Sequence, residues 1–275
     1  MELKTGPLIS QDPEACMFLT TSRERVFYHR IDFPSGFLFV IILMVINMYE
    51  RLIPLIGKTN LEKIKNTKIL LVGIGGVGGF TLECLVRTGF ENITIIDGDT
   101  IDETNLNRQI IATKETENKS KTEVAMNRYL SINSKLNLQT INIFLTKDNF
   151  NKYVFEKYDY IIDACDDIAM KVELIRYAEK NNIKIISALG TGKKLNPKYL
   201  EITTLDKTEN DPLAKKLRNL IRKENLNLKI PVVFSKETPI NTQNILGSCI
   251  YVPSVAGIYL ANYVFLDIIK PQDNS

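Results

Sequence analysis

Residues 68–72 (KILLV) run directly into Gly73-Ile74-Gly75-Gly76-Val77-Gly78, and this junction constrains the fold more than any other stretch of the chain. A short run that is continuously apolar after Lys68 suits a strand buried on both faces. Glycines immediately after it permit a tight turn, let backbone N–H groups approach a phosphate, and open a helix whose N-terminus carries partial positive charge. Asp97 follows 19 residues beyond Gly78, at the end of a second strand-like run, 92–96 (NITII). A carboxylate there can accept hydrogen bonds from ribose hydroxyls. The spacing points to a nucleotide. A glycine turn used only for close helix–sheet packing is the bland alternative, and the motif alone does not separate NAD from ATP.

The rest of the chain from Met48 keeps a βα rhythm. Helices are predicted at 59–66, 80–88, 119–132 and 170–181, and strands at 68–72, 92–96, 138–145, 159–162 and 183–187. Alternation of this kind predicts an α/β fold: a Rossmann-like, mostly parallel sheet with helices on both faces. Past Gly190 the rhythm changes, and strands at 200–204 and 232–234 predict a C-terminal extension of the sheet. Asp211-Pro212 opens a helix between them, with a capping carboxylate and a proline at its first position. Leu213, Leu217, Leu220 and Ile221 form its apolar stripe. Residues 251–269 read as a long apolar helix, interrupted at Pro253 and Gly257, that lies against the sheet.

Residues 1–47 read as an appendage to a domain spanning 48–275. The charge-free interval 33–49 is shorter than the roughly 20 apolar residues of a membrane span. It is either upstream sequence ahead of a start at Met48 or a short apolar anchor centred on 37–46. The protein is expected in the cytoplasm, with membrane association through 37–46 or 251–269 as the competing location.

Composition removes several chemistries. Cys16, Cys84, Cys165 and Cys249 are scattered, without a Cys-x-x-Cys pair, so neither a structural zinc site nor a disulfide framework is expected. Cys165 and Cys249 read as small buried residues. The only histidine, His29, lies in the appendage, so no histidine base is expected.

The residues after Asp97 favour ATP over NAD. Asp97-Gly98-Asp99 leads into Asn105-Leu106-Asn107-Arg108-Gln109, then Lys121, then Asp163-Ala164-Cys165-Asp166. Adenylation brings a carboxylate against the α-phosphate, so two anions must meet, and fixed cations with a metal stabilise the charge that develops. Arg108 and Lys121 can supply cations, and Asp166 can hold Mg2+. Hydride transfer needs neither. Singly, Arg108 or Lys121 is an ordinary solvated charge and Asp166 a helix cap; the combination is what carries weight.

On these residues the chain resembles the ubiquitin-activating-type adenylating enzymes. Within them, 48–269 is most similar to the tRNA threonylcarbamoyladenosine dehydratases, through 211–214 (DPLA), 233–237 (VFSKE) and 247–257 (GSCIYVPSVAG). The resemblance implies ATP-dependent adenylation of the carboxylate of threonylcarbamoyladenosine beside the tRNA anticodon, then ring closure with loss of water. It assigns ATP binding to Gly73, Gly75, Gly76, Gly78, Asp97 (on the ribose), Asp99 and Asn105. Phosphate contacts fall to Arg108 and Lys121, and Mg2+ to Asp166. It also implies a homodimer in which Arg51 reaches the partner's site, and leaves room for a sulfur-transfer partner protein. Adenylation of the C-terminal glycine of a ubiquitin-like sulfur carrier uses the same ATP site and is the main alternative. An NAD-dependent dehydrogenase and a non-catalytic module of the same fold are weaker ones. The region 190–240 holds eleven Lys and Arg against six Asp and Glu, in a chain of net charge +3, which suits a polyanionic partner.

Overall fold

The computed structural model describes residues 48–154, 157–240 and 247–270, together with the backbone of three strands in the first 44 residues. It divides into two compact units, Met1–Leu55 and Ile56–Ser275. In the first, β1 (Phe18–Thr21), β2 (Glu24–Phe33) and β3 (Gly36–Met44) pair antiparallel in that order. Most of the charge-free apolar run thus lies in β3, in register with β2 from Asp32↔Phe37 to Arg25↔Met44.

The second unit begins within α1 (Ile53–Asn66), where Gly57 adopts φ 78° and separates two helical segments. The predicted helix at 59–66 is the second of them. There follow β4 (Lys68–Val72), α2 (Gly78–Arg87), β5 (Asn92–Ile96), α3 (Lys121–Ile132), β6 (Asn137–Ile141), α4 (Phe150–Tyr153) and β7 (Tyr160–Asp163). The chain continues through α5 (Ile168–Lys180), β8 (Lys184–Ala188), β9 (Leu200–Thr204), α6 (Pro212–Lys223), β10 (Pro231–Ser235) and α7 (Tyr251–Ile269).

One seven-stranded sheet results, in the order β6-β5-β4-β7-β8-β10-β9. Every neighbouring pair is parallel except β10 with β9, so the predicted C-terminal extension is a parallel strand carrying an antiparallel edge. Side chains alternate across β4. Ile69 and Leu71 join a core with Leu82, Tyr129 and Leu260, while Leu70 and Val72 join one with Phe150, Leu174 and Leu217. Helices therefore cover both faces, which is why β4 reads as an unbroken apolar run. The chain leaves β4 to one side and β7 to the other, and a crevice opens at that switch point.

Three local expectations change. The strand expected over 138–145 ends at Ile141, and residues 143–146 turn away from the sheet. In α6 the buried stripe is Ala214, Leu217 and Ile221, with Leu220 turned outward; Asp211 caps the helix as expected, accepting from the Ala214 N–H at 2.9 Å. The predicted breaks in α7 do not occur. Pro253 sits in the first turn, where a missing N–H costs nothing. Gly257 is a contact point: a Cβ there would lie 2.2 Å from the Val77 carbonyl oxygen, and its own carbonyl accepts from Thr81 Oγ1 at 3.1 Å. Residues 251–269 have the length and apolarity of a membrane span, yet Val252, Ala256, Leu260 and Val264 are buried in the domain.

Candidate functional site

A cleft of about 1150 Å³ opens beyond the carboxyl ends of β4, β5, β7 and β8. Its floor is the turn after β4. Gly73 needs its glycine twice over: its φ is 85°, and a Cβ there would lie only 2.8 Å from the Ala164 carbonyl oxygen. Gly75 and Gly76 line the cleft, and a Cβ on Gly75 would meet nothing nearer than Gln109 Nε2 at 3.8 Å. Gly78 does not line it. A Cβ there would fall 1.8 Å from the Gly73 carbonyl oxygen, so this glycine lets α2 fold back on the turn.

Asp97 holds the turn in shape. Its Oδ2 accepts from the Ile74 N–H at 2.8 Å and its Oδ1 from the Asp99 N–H at 2.9 Å. Burial raises its pKa; the Lys121 charge and these two hydrogen bonds pull the other way without cancelling the effect. Lys121 is buried, and its Nζ lies 2.6 Å from Asp99 Oδ2. Asp99 thus partners the lysine expected at the phosphates.

Opposite lies the 105–109 turn. Asn105 is buried, accepts weakly from the Asp102 N–H at 3.3 Å, and its carbonyl takes the Arg108 and Gln109 N–H groups. Arg108 donates through Nη1 to the Thr104 carbonyl at 2.7 Å and to Asn107 Oδ1 at 2.9 Å, with its stem over Gly76. Asp166 is exposed in the cleft and makes no hydrogen bond or ion pair among the described residues. The cap of α5 is its neighbour Asp167, which accepts from the Ala169 and Met170 N–H groups.

The structure thus gathers Gly73, Gly75, Gly76, Asp97, Asp99, Asn105, Arg108, Lys121 and Asp166 around one cavity. Gly78 lies behind it, and Arg51 is an exposed residue of the first unit. Cys165 is half-buried, packing against the core on one side and lining the cleft on the other; burial and the adjacent Asp163 raise its thiol pKa well above the ordinary value. Cys249 is likewise half-buried.

Sequence reasoning missed two buried lysines. Lys171 Nζ donates to Asp163 Oδ2 and the Ala188 carbonyl, fixing the strand ends beneath Asp166. Lys194 Nζ donates to the Gly190 and Ser235 carbonyls and to Asp211 Oδ2, building a second wall of the cleft from 190–194 and the start of α6. Phe144 was also missed; it is 67% exposed at the cleft's edge.

The ThiF family model matches residues 49–198, which include the glycine turn, Asp97, the 105–109 turn, Lys121 and Asp166. The chain belongs to the ThiF family. Among ThiF relatives, the tRNA threonylcarbamoyladenosine dehydratase of Bacillus subtilis is 34% identical over 233 residues, covering 78% of this chain and 92% of the relative. The Escherichia coli enzyme of the same name is 36% identical over 197 residues, covering 69% and 74%. A crystal structure of the E. coli tRNA N6-threonylcarbamoyladenosine dehydratase in complex with ATP superposes with a TM-score of 0.76 at 32% identity, covering 81% of this chain and 93% of that one.

Proposed function

We infer that this chain is an ATP-dependent tRNA threonylcarbamoyladenosine dehydratase. The observation that carries the reading is one cleft that joins a nucleotide-shaped half (glycine turn, Asp97, Lys121) to a second polar wall (190–194, Asp211), in a chain whose sequence aligns with 92% of the B. subtilis dehydratase and whose fold covers 93% of the E. coli one.

The chemistry follows from what the residues can hold. Backbone N–H groups of the 73–76 turn and the N-terminus of α2 face the phosphates. Asp97, already positioned by Ile74 and Asp99, accepts from the ribose hydroxyls. Lys121 exchanges Asp99 for a phosphate oxygen, and Arg108 turns its guanidinium from Thr104 and Asn107 to the same charge. A carboxylate oxygen of the substrate forms a bond to the α-phosphorus, and pyrophosphate leaves. The carbamoyl nitrogen then bonds to the activated carbonyl carbon, its proton is lost, and the acyl–oxygen bond to AMP breaks. Water is lost overall, and no enzyme nucleophile takes part. The protonated, hydrogen-bonded state of the Cys165 thiol fits that scheme.

Magnesium belongs to this proposal. An exposed carboxylate that makes no hydrogen bond or ion pair among the described residues, as at Asp166, suits a cation that takes one or two carboxylates and completes its shell with phosphate oxygens and water. When bound, it would neutralise phosphate charge. The proposal further includes a cytoplasmic homodimer in which Arg51 serves the partner's cleft, and a sulfur-transfer protein as an additional partner.

The test is mass spectrometry of nucleosides from threonylcarbamoyl-modified tRNA incubated with the protein, ATP and Mg2+. The expected product is lighter by one water and is absent with Asp166→Ala. Unchanged tRNA, together with ATP–pyrophosphate exchange on adding a ubiquitin-like carrier, would move the assignment to carrier activation.

A further inference from the structure

Lys215, Lys216, Arg222 and Lys223 are all exposed on α6, and none has an ion-pair partner among the described residues. Spacings of seven residues, 215 to 222 and 216 to 223, place them on one side of the helix, opposite the buried Ala214, Leu217 and Ile221. Some other surface cations have carboxylate partners, among them Lys65 with Glu62, Lys114 with Glu103, Lys184 with Asp267 and Lys236 with Glu201, while Lys63, Lys135, Lys152 and Lys180 make no ion pair among the described residues but lie on four different elements or loops; α6 differs in gathering four such cations on one helix face. Arg218, at the edge of the face, is occupied by the Thr208 carbonyl at 2.8 Å.

Helix stability accounts for only half of this pattern. Arg222 and Lys223 stand in the last turn, where a cation is favoured by the helix dipole. Lys215 and Lys216 stand near the opposite, positive end, where it is not. The centre of the face is Asn219, and the outward-turned Leu220 lies only at its edge, so no apolar anchor of the kind a protein interface uses stands at the centre. The helix also starts at the cleft: Asp211, Pro212 and Leu213 line it. At 1.5 Å per residue the four cations lie about 5 to 17 Å along the axis from that rim.

We propose that this face of α6 is the docking track for the phosphate backbone of the tRNA anticodon arm, leading the modified nucleotide into the cleft. The proposal rests on the dehydratase reading above. A polyanion must reach this rim for its carboxylate to react inside, and lysine and arginine without base-reading groups bind phosphates independently of sequence.

The experiment compares two full-length variants that change net charge equally. One carries Lys215→Ala, Lys216→Ala, Arg222→Ala and Lys223→Ala. The control carries Lys63→Ala, Lys135→Ala, Lys152→Ala and Lys180→Ala, all at exposed positions. Turnover of threonylcarbamoyl-modified tRNA and binding of fluorescently labelled tRNA across a salt series are measured, with ATP affinity alongside. The α6 variant is expected to raise KM for tRNA at least about tenfold with kcat and ATP affinity unchanged. Its log–log salt slope should become shallower by about 3 to 3.5 relative to wild type, as each of the four lost phosphate contacts removes about 0.7 to 0.9 of a unit. Lys215→Arg, Lys216→Arg and Lys223→Arg together should keep wild-type KM. An α6 variant that matches the control in KM and salt slope overturns the proposal while wild-type dehydration leaves the reading intact. Wild-type protein that leaves the tRNA mass unchanged overturns both.

Discussion

Lys171 Nζ and Asp163 Oδ2 lie 2.9 Å apart, with both side chains fully shielded from solvent. The same ammonium donates to Ser187 Oγ and the Ala188 carbonyl, so it ties the end of β7 to the end of β8. Burial lowers its pKa, but the Asp163 charge, with Cys165 and Asp166, outweighs that and leaves it raised. Removing one partner strands the other charge in the core. Lys171→Met is therefore expected to cost about 3–5 kcal/mol, whereas Lys171→Met with Asp163→Leu costs distinctly less. Urea unfolding of the two variants checks this; a double variant as unstable as the single one would mean that the pair contributes more than mutual neutralisation.

That pair also marks the limit of what the sequence makes legible. The parallel sheet was readable because β4, β5, β7 and β8 are apolar runs buried on both faces, and the nucleotide half of the cleft because glycines and Asp97 sit at fixed offsets from strand ends. Lys171 looks like a solvated helix charge. It nevertheless falls on the buried stripe of α5 with Leu174, Ile175 and Ala178, a local signal that could have exposed it. Lys194 has no such signal. It lies in an irregular stretch without periodicity, and its burial depends on Asp211 and Ser235, far along the chain. The early end of β6 was hidden for a related reason: residues 143–146 are apolar enough to continue a strand, but the backbone at Phe144 passes so close to Gly98 that a Cβ there would be 2.3 Å from the Phe144 nitrogen.

The glycines of the turn separate folding from binding. A methyl on Gly78 would meet the Gly73 carbonyl oxygen at 1.8 Å, inside a closely packed helix–strand junction. Gly78→Ala is expected to destabilise the protein by about 1–3 kcal/mol or more, as overpacking does. A methyl on Gly75 meets no protein atom within 3.8 Å but occupies the cleft. Gly75→Ala should keep wild-type stability to within about 0.5 kcal/mol, the range of substitutions that meet no packed neighbour, while weakening ATP binding. Thermal melts with and without ATP read both effects, because a bound ligand raises the melting temperature by mass action.

Phe144 offers an aromatic face near Asp97, the acid proposed to bind the ribose. It is 67% exposed, lines the cleft, and follows the backbone contact with Gly98, the residue after Asp97. Stacking of a base on an exposed aromatic ring contributes about 1–3 kcal/mol. Phe144→Ala should therefore raise KM for ATP by about tenfold, the equivalent of 1.4 kcal/mol, with little change in melting temperature, and Phe144→Tyr should retain wild-type KM. Steady-state kinetics varying ATP and tRNA separately give the answer; a rise in KM for tRNA alone would assign the ring to the tRNA base.

If Asp97 binds the ribose as proposed, nucleotide affinity should depend on pH. Its carboxylate would have to be ionised to accept hydrogen bonds from both ribose hydroxyls, and burial sets its pKa above the ordinary value, against the opposing pull of Lys121 and the Ile74 and Asp99 N–H groups. A raised pKa means that the proton returns at a higher pH than in an unperturbed aspartate, near 3.9. On acidification, ATP affinity should therefore begin to fall above that ordinary range, by at most about one log unit per pH unit, the limit for a single proton. The nucleotide's own phosphate titration acts on every variant alike, so Asp97→Asn supplies the baseline: its affinity is lower at neutral pH and lacks the additional acid limb. Equilibrium dialysis of radiolabelled ATP at a series of pH values, wild type against Asp97→Asn, measures the difference directly. Parallel curves for the two proteins would remove Asp97 from the ribose and leave it as the brace of the glycine turn.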